Sequence, residues 1–423
     1  MSGIIQRLLP GANAMDLRLI GFSSLLLMFS GVGQSYFFQF IRPDVMETFA
    51  LSEDQWGTFY MLGTLASGFA LMLTGRIFDW FDLRVVSVIV VVGTALSCFV
   101  FANIWFVWMI VPAIFLQRQF GQGLMTHVPT AATSRYFTDL RGRATGILSA
   151  SYSASEALLP QFAGLLLLIV FTWRGLYETL GFVLLLVVLP LTLWLLKGHR
   201  QRHAEYLEAQ KNASEQEAQV PGSRRRQWTL GEVLRDRTAW MLIPTIFAPS
   251  FIFTGLIIFG LDYADELGVS DQDWRFLWML YAIFGFVITF PVGWLVDRLT
   301  ATRLAPFIAM PIAVGLLVVQ PFDGAVIAMV MLLLWACGQV FTAIVSGPLL
   351  AELYGVKHLG AIKSAYASMM VVASAGGPFV VGRFLTNGWN LKQISLIFAA
   401  YIIIAAVIAM YAVSRVDVKP LTK

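Results

Sequence analysis

Arg118 is the residue of this chain whose position most needs an explanation. It lies near the middle of an apolar stretch, residues 104–134, and a guanidinium inside a bilayer is costly unless it is paired or hydrated. Two interpretations stay open. Arg118 lines a cavity and binds an anion or couples a proton, or it is a structural arginine that donates hydrogen bonds to carbonyls of the first apolar stretch. Gln122, four residues on, shares its face if the segment is α-helical. His127, nine residues on, then points the opposite way, so we interpret it as a packing residue rather than a proton relay.

Glu156 is the one carboxylate in the middle of an apolar stretch, residues 143–170. Ser153 and Glu156 are three residues apart and belong to one polar stripe of a helix. Glu156 could bind a proton that moves with a substrate, or it could neutralise Arg118 across a helix interface. The distance between the two side chains decides between these roles, and both stay open at this point.

Further polar side chains in apolar stretches are candidates for substrate contact. Gln34 and Gln39 are five residues apart, about 140° around a helix, so at most one of them faces a cavity directly. In the second half of the chain, Gln339 offers an amide and Tyr366 a hydroxyl. The residues predicted to bind substrate or to couple ions are Arg118, Gln122, Glu156, Ser153, Tyr152, Gln34, Gln39, Gln339 and Tyr366.

These residues lie in a sequence that is too apolar for a soluble domain. Apolar residues make up 58% and charged residues 13%, with a mean hydropathy of +0.74, whereas a soluble domain is about half apolar and about a quarter charged. Twelve apolar spans are long enough to cross a bilayer as helices, which predicts an all-α polytopic membrane protein. The spans are 17–41, 54–78, 84–102, 104–134, 143–170, 175–197, 239–262, 274–298, 303–321, 323–350, 360–386 and 391–414.

A polar segment, residues 198–238, separates the first six spans from the last six. We therefore predict an N-terminal six-helix bundle at 1–197, a linker at 198–238 and a C-terminal six-helix bundle at 239–423. Of the 29 Lys and Arg residues, 23 fall on the side of the termini and the linker. Positive charge marks the cytoplasmic side, so we expect cytoplasmic termini, a cytoplasmic linker and, for the whole protein, the bacterial inner membrane.

An internal repeat relates the two halves. A shift of 218 residues without a gap brings several identical residues into register. These matches are spread over more than a hundred positions. Ser52 and Ser270 both precede acidic residues and a Trp, a pattern typical of a helix N-terminus near the membrane interface. The repeat predicts two similar bundles related by a pseudo-two-fold axis. The other matched pairs are Trp56 and Trp274, Gly75 and Gly293, Asp79 and Asp297, Tyr136 and Tyr354, Gly142 and Gly360, Pro160 and Pro378, and Gly164 and Gly382.

Several motifs resemble those of the major facilitator superfamily. Residues 75–84 read GRIFDWFDLR and residues 293–303 read GWLVDRLTATR, which resemble the superfamily's loop motif after spans two and eight. Residues 116–123, LQRQFGQG, resemble its fourth-helix motif. RYF at 135–137 with RGRATG at 141–146 resembles the start of helix five in monocarboxylate and oxalate/formate-type carriers. The resemblance implies the twelve-helix fold of this superfamily and transport of a small solute.

The loop motif suggests a gate on the cytoplasmic side. Gly75 and Gly293 allow a helix end to approach a neighbour closely, and Asp79 and Asp297 can pair with arginines or with a helix N-terminus. Ordinary charge decoration of helix ends is the alternative. The residues predicted to form the gate are Gly75, Asp79, Arg84, Arg143, Gly293, Asp297 and Arg298.

The function predicted from these features is secondary active transport. No G-x-x-x-x-G-K-[ST] phosphate loop occurs that could use ATP, and the four histidines are scattered, so we expect neither an enzyme nor a bound cofactor or metal. Because Arg118 needs a partner charge, we expect a small organic anion, a mono- or dicarboxylate, moved with a proton or a counter-anion. Proton-driven efflux of amphipathic compounds and a non-transporting receptor are the alternatives. We expect a monomer in the lipid bilayer and no nucleic-acid partner.

Overall fold

Long helices dominate the computed structural model, which describes residues 13–74, 81–137, 141–199, 201, 203, 227–355 and 358–415, with Arg141 and Asp297 described by backbone alone. Within these residues, eleven helices are long and apolar enough to cross a membrane. With the discontinuous fourth helix, the spans are α1 Ala14–Gly33, α2 Glu53–Thr74, α3 Leu83–Ala102, α4 110–136, α5 Arg141–Val170, α6 Trp173–Leu195, α7 Arg237–Ile257, α8 Asp271–Leu299, α9 Ala301–Val318, α10 Ala325–Tyr354, α11 Leu359–Thr386 and α12 Leu391–Ser414.

These helices confirm the predicted fold class of a twelve-helix membrane protein. Each predicted span overlaps a helix, but the first helix ends at Gly33 rather than at residue 41, and the fourth begins at Ile110 rather than at residue 104. The fourth span is different inside. It consists of an α-helical segment Ile110–Leu116, a π-helical segment Gln117–Leu124 and an α-helical segment Met125–Tyr136. A π-helix forms i→i+5 hydrogen bonds and is often found at functional sites.

Helix N-termini are placed by the side chains that precede them. Ser270 precedes α8 and accepts a hydrogen bond from the backbone N–H of Asp273 at 3.2 Å, as the sequence pattern predicts. At α2 the backbone N–H of Ser52 donates to the side chain of Gln55 at 3.0 Å. Asn390 forms a reciprocal cap with Gln393 before α12. Such caps satisfy backbone donors that have no partner inside the helix.

The chain forms two compact units. The first contains residues 1–37 and 66–224, and the second contains residues 38–65 and 225–423. The first part of α2 thus belongs to the second unit. The predicted division at 198–238 stays a prediction, because residues 200, 202 and 204–226 lie outside the described residues.

Two helix pairs recur in the two units, as the sequence repeat predicts. In the first unit α1 packs against α5, and α3 packs against α6. In the second unit the corresponding pairs are α7 with α11 and α9 with α12. Each member of a pair has its counterpart six helices later, so the repeat is a repeat of packing as well as of sequence.

Shorter helices lie between the spans. Ser35–Phe38 and Arg42–Phe49 connect α1 to α2, Leu230–Val233 precedes α7, and Gly260–Glu266 connects α7 to α8. Glu266, at the end of the last of these, accepts hydrogen bonds from the backbone N–H groups of Leu391 at 2.8 Å and Lys392 at 3.0 Å. A carboxylate therefore caps the N-terminus of α12, where the helix dipole favours negative charge.

Candidate functional site

Arg118 lies in the π-helical segment of α4 and is only 2% exposed. Its Nη1 donates hydrogen bonds to the backbone carbonyl of Gly33 at 3.3 Å and to the hydroxyl of Ser35 at 3.1 Å. The contact with a carbonyl of the first span agrees with the structural interpretation of this residue. Both of these acceptors are neutral groups.

The two residues beside Arg118 are buried glutamines that sequence reasoning did not single out. Gln117 donates to the sulfur of Cys98 on α3 at 3.6 Å. Gln119 donates to the hydroxyl of Thr74 on α2 at 2.7 Å and accepts a hydrogen bond from Ser67 at 3.3 Å. Three consecutive polar side chains of α4 therefore contact three different helices. Their signal in the sequence was three adjacent polar residues inside an apolar span.

A close approach of α1 and α4 accompanies the π-helical segment. A Cβ atom added to Gly33 would lie 2.2 Å from the carbonyl oxygen of Gln117 and 2.6 Å from the backbone nitrogen of Gln122. Only a residue without a side chain fits there. The α-helical spacing that placed Arg118 and Gln122 on one face does not hold in this segment. Gln122 is half-buried, and His127, in the α-helical part that follows, is exposed rather than packed.

Glu156 is half-buried on α5, and the side chains around it belong to the first unit. Tyr152 lies close enough to both Glu156 and Arg118 to interact electrostatically with each of them. Tyr36 lies within electrostatic range of Tyr152 and Glu156. In the described part of the chain, no ion pair joins Glu156 to an arginine or a lysine. Tyr152 thus lies within electrostatic range of an arginine and of a carboxyl group.

A buried hydroxyl pair near Glu156 connects the short helix Ser35–Phe38 to α5. The hydroxyls of Tyr36 and Ser155 are 3.1 Å apart, and Ser155 donates to the carbonyl of Met28 at 2.5 Å. Because Ser155 uses its proton in that bond, Tyr36 donates to Ser155. A Cβ atom on Gly31 would lie 2.5 Å from the Tyr36 hydroxyl. Tyr36 and Ser155 were not among the residues predicted to bind substrate. Of the predicted residues close to them in sequence, Gln34 is buried and Ser153 is half-buried.

The remaining candidates lie in the second unit and make hydrogen bonds there. Gln39 is fully buried and accepts a hydrogen bond from the indole of Trp274 at 3.0 Å. Gln339 on α10 donates to the carbonyl of Pro249 on α7 at 3.2 Å. Tyr366 is buried near Tyr354, whose hydroxyl donates to Asp236 at 3.1 Å. Gln39 and Gln339 therefore already hold neighbouring helices together.

The predicted gate is only partly described. Gly75 and Asp79 lie outside the described residues, and of Asp297 only the backbone is described. Arg84 and Arg143 are exposed in the first turns of α3 and α5, and Gly293 is half-buried on α8. Arg298 lies over the ring of Trp294, 4.1 Å from its centroid. The gate stays a prediction.

The fold defines a class, that of polytopic membrane transporters. The model of the Major Facilitator Superfamily matches residues 23–378, and the chain belongs to this family. It is thus a multi-pass integral membrane transporter of small molecules and not an enzyme. No curated protein sequence matches it.

Solved structures with the same fold include a bacterial homologue of the human lysosomal transporter Spinster. Its inward-facing, occupied form has a TM-score of 0.70 at 15% identity and covers 96% of this chain and 98% of its own. Its inward-facing, unoccupied form has a TM-score of 0.66 at 16% identity with the same coverage. At this identity the likeness extends to the fold alone.

Proposed function

We propose that this protein is a secondary active transporter that moves a small organic anion, a mono- or dicarboxylate, together with a proton or in exchange for another anion. The observation that carries the proposal is a buried guanidinium, Arg118, near Tyr152, which is also within electrostatic range of the carboxyl of Glu156. Arginine presents donors in a planar fork that matches a carboxylate. We expect a substrate carboxylate to bind to this guanidinium.

Glu156 gives this site a means of coupling anion binding to a proton. When Glu156 is ionised, it repels a carboxylate that enters the same low-dielectric region. When Glu156 is protonated, that repulsion disappears and the anion binds more tightly. By linkage, the bound anion raises the proton affinity of Glu156 to the same extent. Tyr152, within range of both groups, is the side chain that a substrate meets between them.

The transport cycle that we infer is alternating access around this site, with a gate on the cytoplasmic side formed by Gly75, Asp79, Arg84, Arg143, Gly293, Asp297 and Arg298. We place the termini in the cytoplasm and the protein in a bacterial inner membrane, where it acts as a monomer. Transporters of repeated helical bundles bind substrate near the midplane and expose it alternately to each side. Both the direction of transport and the identity of the anion follow from the assay below.

The test is uptake of labelled mono- and dicarboxylates by proteoliposomes with an imposed pH gradient. We expect accumulation by the wild-type protein and loss of at least about tenfold in Arg118→Gln, since a charged hydrogen-bond partner is worth about 1.5–3 kcal/mol. Arg118→Lys keeps the charge and should retain part of the uptake. Arg415→Gln removes an exposed arginine at the end of α12 and should leave uptake unchanged. Normal uptake by folded Arg118→Gln contradicts the proposal.

Glu156→Gln separates proton coupling from anion binding. A permanently neutral side chain should still allow exchange of internal for external anion, because Arg118 remains. It should abolish accumulation driven by a pH gradient and remove the pH dependence of exchange. Pre-loaded proteoliposomes measure both quantities in one preparation. If Glu156→Gln still accumulates anion in response to the gradient, Glu156 is not the proton site.

A further inference from the structure

A pocket lies where α1 begins and α6 ends, within the first unit. Arg18, Lys197 and His199 line it together with apolar side chains of both helices. The helices are in contact at this level, since a Cβ atom on Gly21 would lie 3.3 Å from Cδ2 of Leu195. The pocket is remote in sequence from Arg118 and Glu156, and the transport site that we propose does not use it.

Arg18 is half-buried at this pocket, and two neutral groups position it. Its Nη1 donates a hydrogen bond to the backbone carbonyl of Lys197 at 3.4 Å, and its guanidinium carbon lies 5.7 Å from the centre of the Trp194 ring. A guanidinium has five N–H donors, and among the described residues this carbonyl is the one acceptor that it contacts. Arg18 therefore retains donors for a ligand.

The chain that follows α6 completes the pocket. Gly198 has φ +90°, a conformation that favours glycine, and the chain reverses there after the exposed Lys197. His199 is then only 7% exposed, and its ring lies edge-on to that of Tyr136 with 4.9 Å between the centres. The residues of this pocket thus include an arginine, a lysine and a buried histidine.

The charges of this pocket are not balanced by nearby acidic groups. Within the part of the chain that the structure describes, no carboxylate pairs with Arg18 or Lys197. Asp16, the acidic residue closest to Arg18 in sequence, accepts a hydrogen bond from the backbone N–H of Asn13 at 2.9 Å. Two cations beside one pocket attract an anion, and arginine in particular binds phosphate oxygens through paired N–H groups.

An apolar strip continues from the pocket along α6. Leu191 and Trp194 are three residues apart and share a face of the helix, and their side chains are 42% and 58% exposed. Tryptophan is common where a span meets the lipid headgroups. A ligand with an anionic head and a hydrocarbon chain would contact the cations with one part and this strip with the other, whereas a small soluble anion would contact only the cations.

We propose that this pocket binds the headgroup phosphate of an anionic phospholipid, with Arg18 and Lys197 as its cationic contacts and Leu191 and Trp194 beside an acyl chain. The charge distribution predicts that this face is cytoplasmic, and basic pockets between spans on that side recognise anionic headgroups. The lipid connects the start of α1 to the end of α6. Because it binds the folded protein, it stabilises the first unit.

The test is lipid binding by the full-length protein in detergent, measured by native mass spectrometry. The probes are dioctanoyl phosphatidylglycerol, which is anionic, and dioctanoyl phosphatidylcholine, which has no net charge. We expect the wild-type protein to bind the anionic lipid at least about fivefold more tightly. Arg18→Gln should weaken this binding about fivefold and Lys197→Gln about two- to fivefold, since one basic side chain near a headgroup contributes about this factor.

Arg415→Gln is the matched control. Arg415 is exposed at the end of α12, the counterpart of α6 in the second unit, and its guanidinium carbon lies 4.3 Å from the centre of the Tyr411 ring. It thus reproduces the contact between an arginine and an aromatic ring at a matching helix end. Its substitution should leave the affinity for phosphatidylglycerol unchanged.

Four results overturn the proposal. Arg18→Gln that unfolds at a lower temperature without lipid but binds phosphatidylglycerol as the wild type does shows that Arg18 only caps α6. An equal loss of affinity in Arg415→Gln shows unspecific attraction. Equal binding of phosphatidylcholine shows that charge is not recognised, and displacement of the lipid by an equal concentration of inorganic phosphate shows a site for the free anion.

Lys197→Gln keeps the test decisive if Arg18→Gln does not fold, because the Lys197 side chain is exposed. Unchanged affinity in this variant then contradicts the proposal. The measurement needs neither a substrate nor a pH gradient, so its result is independent of the transport assay.

Discussion

Arg118 and Arg42 are both buried arginines, and their surroundings are opposite. Arg118 donates to a carbonyl and a hydroxyl, which are neutral, whereas Arg42 lies between two carboxylates. Arg42 is neutralised by these carboxylates, and Arg118 is the arginine at which we propose that the substrate anion binds. Sequence position alone marked Arg118, because it lies within a span, and counted Arg42 as one more loop charge.

Gly33 is the residue that tests the packing around Arg118. Gly33→Ala should destabilise the protein by about 1–3 kcal/mol, because its methyl group meets the backbone of α4 and that backbone cannot move aside cheaply. Thermal unfolding of the purified protein in detergent measures the change.

Gly146→Ala is the matched control for Gly33→Ala. A Cβ atom at Gly146 on α5 meets nothing within 4 Å, and alanine is a better helix former than glycine by about 1 kcal/mol. We expect an unchanged or raised unfolding temperature for this variant. A Gly33→Ala protein as stable as Gly146→Ala means that α1 and α4 are not in backbone contact.

At the scale of elements, the π-helical segment of α4 is the feature that places the site. The apolar pattern predicts a helix over this span, but the pattern of residues cannot distinguish i→i+4 from i→i+5 hydrogen bonds. That choice depends on Gly33 and Gly121, which bring the backbones of α1 and α4 together from positions far apart in sequence. The same segment turns Gln117, Arg118 and Gln119 toward α3, α1 and α2. Of these features of α4, the sequence predicted only that Arg118 lies within the span.

Tyr136 and Tyr354, which the sequence repeat matches, each bind a residue near one end of the predicted linker. Tyr136 at the end of α4 hydrogen-bonds His203 at 2.9 Å, and Tyr354 at the end of α10 donates to Asp236 at 3.1 Å. His203 and Asp236 lie near the two ends of the predicted linker. In each unit the matched tyrosine thus binds a residue at that unit's end of the linker.

The carboxylate of Glu266 is predicted to stabilise the N-terminus of α12. Glu266→Gln replaces one carboxylate oxygen at the N-terminus of α12 by an NH₂ group that cannot accept the hydrogen bond from the backbone. We expect a loss of about 1–2 kcal/mol in stability, measured by thermal unfolding. Glu178→Gln changes an exposed glutamate on α6 and should have no effect. Equal unfolding temperatures for both variants contradict the capping role.

At the scale of the whole molecule, alternating access predicts that a covalent tie between α2 and α11 stops transport. Asp54→Cys with Thr386→Cys, in a chain without Cys98 and Cys337, places two thiols where a hydrogen bond now joins the side chains. Oxidation should abolish transport, and reduction should restore it, because the outer face cannot open while the disulfide is present. Either single cysteine variant is the control. Full activity with the disulfide formed shows that α2 and α11 do not separate at this point.

The sequence by itself determined the class of the protein, the number of its spans and its internal repeat. These features follow from hydrophobicity and periodicity, which are local properties that a bilayer imposes on every span separately. Arg118 and Glu156 were identifiable for the same reason, since a charge inside an apolar span stands out without any partner. The tertiary structure decided the rest: the π-helical segment, the grouping of Tyr152 with both charges, the structural roles of Gln39 and Gln339, and the pairing of Arg42. Each of these depends on which distant segments come into contact, and hydrogen bonds and ion pairs between distant segments leave no periodic trace in the chain.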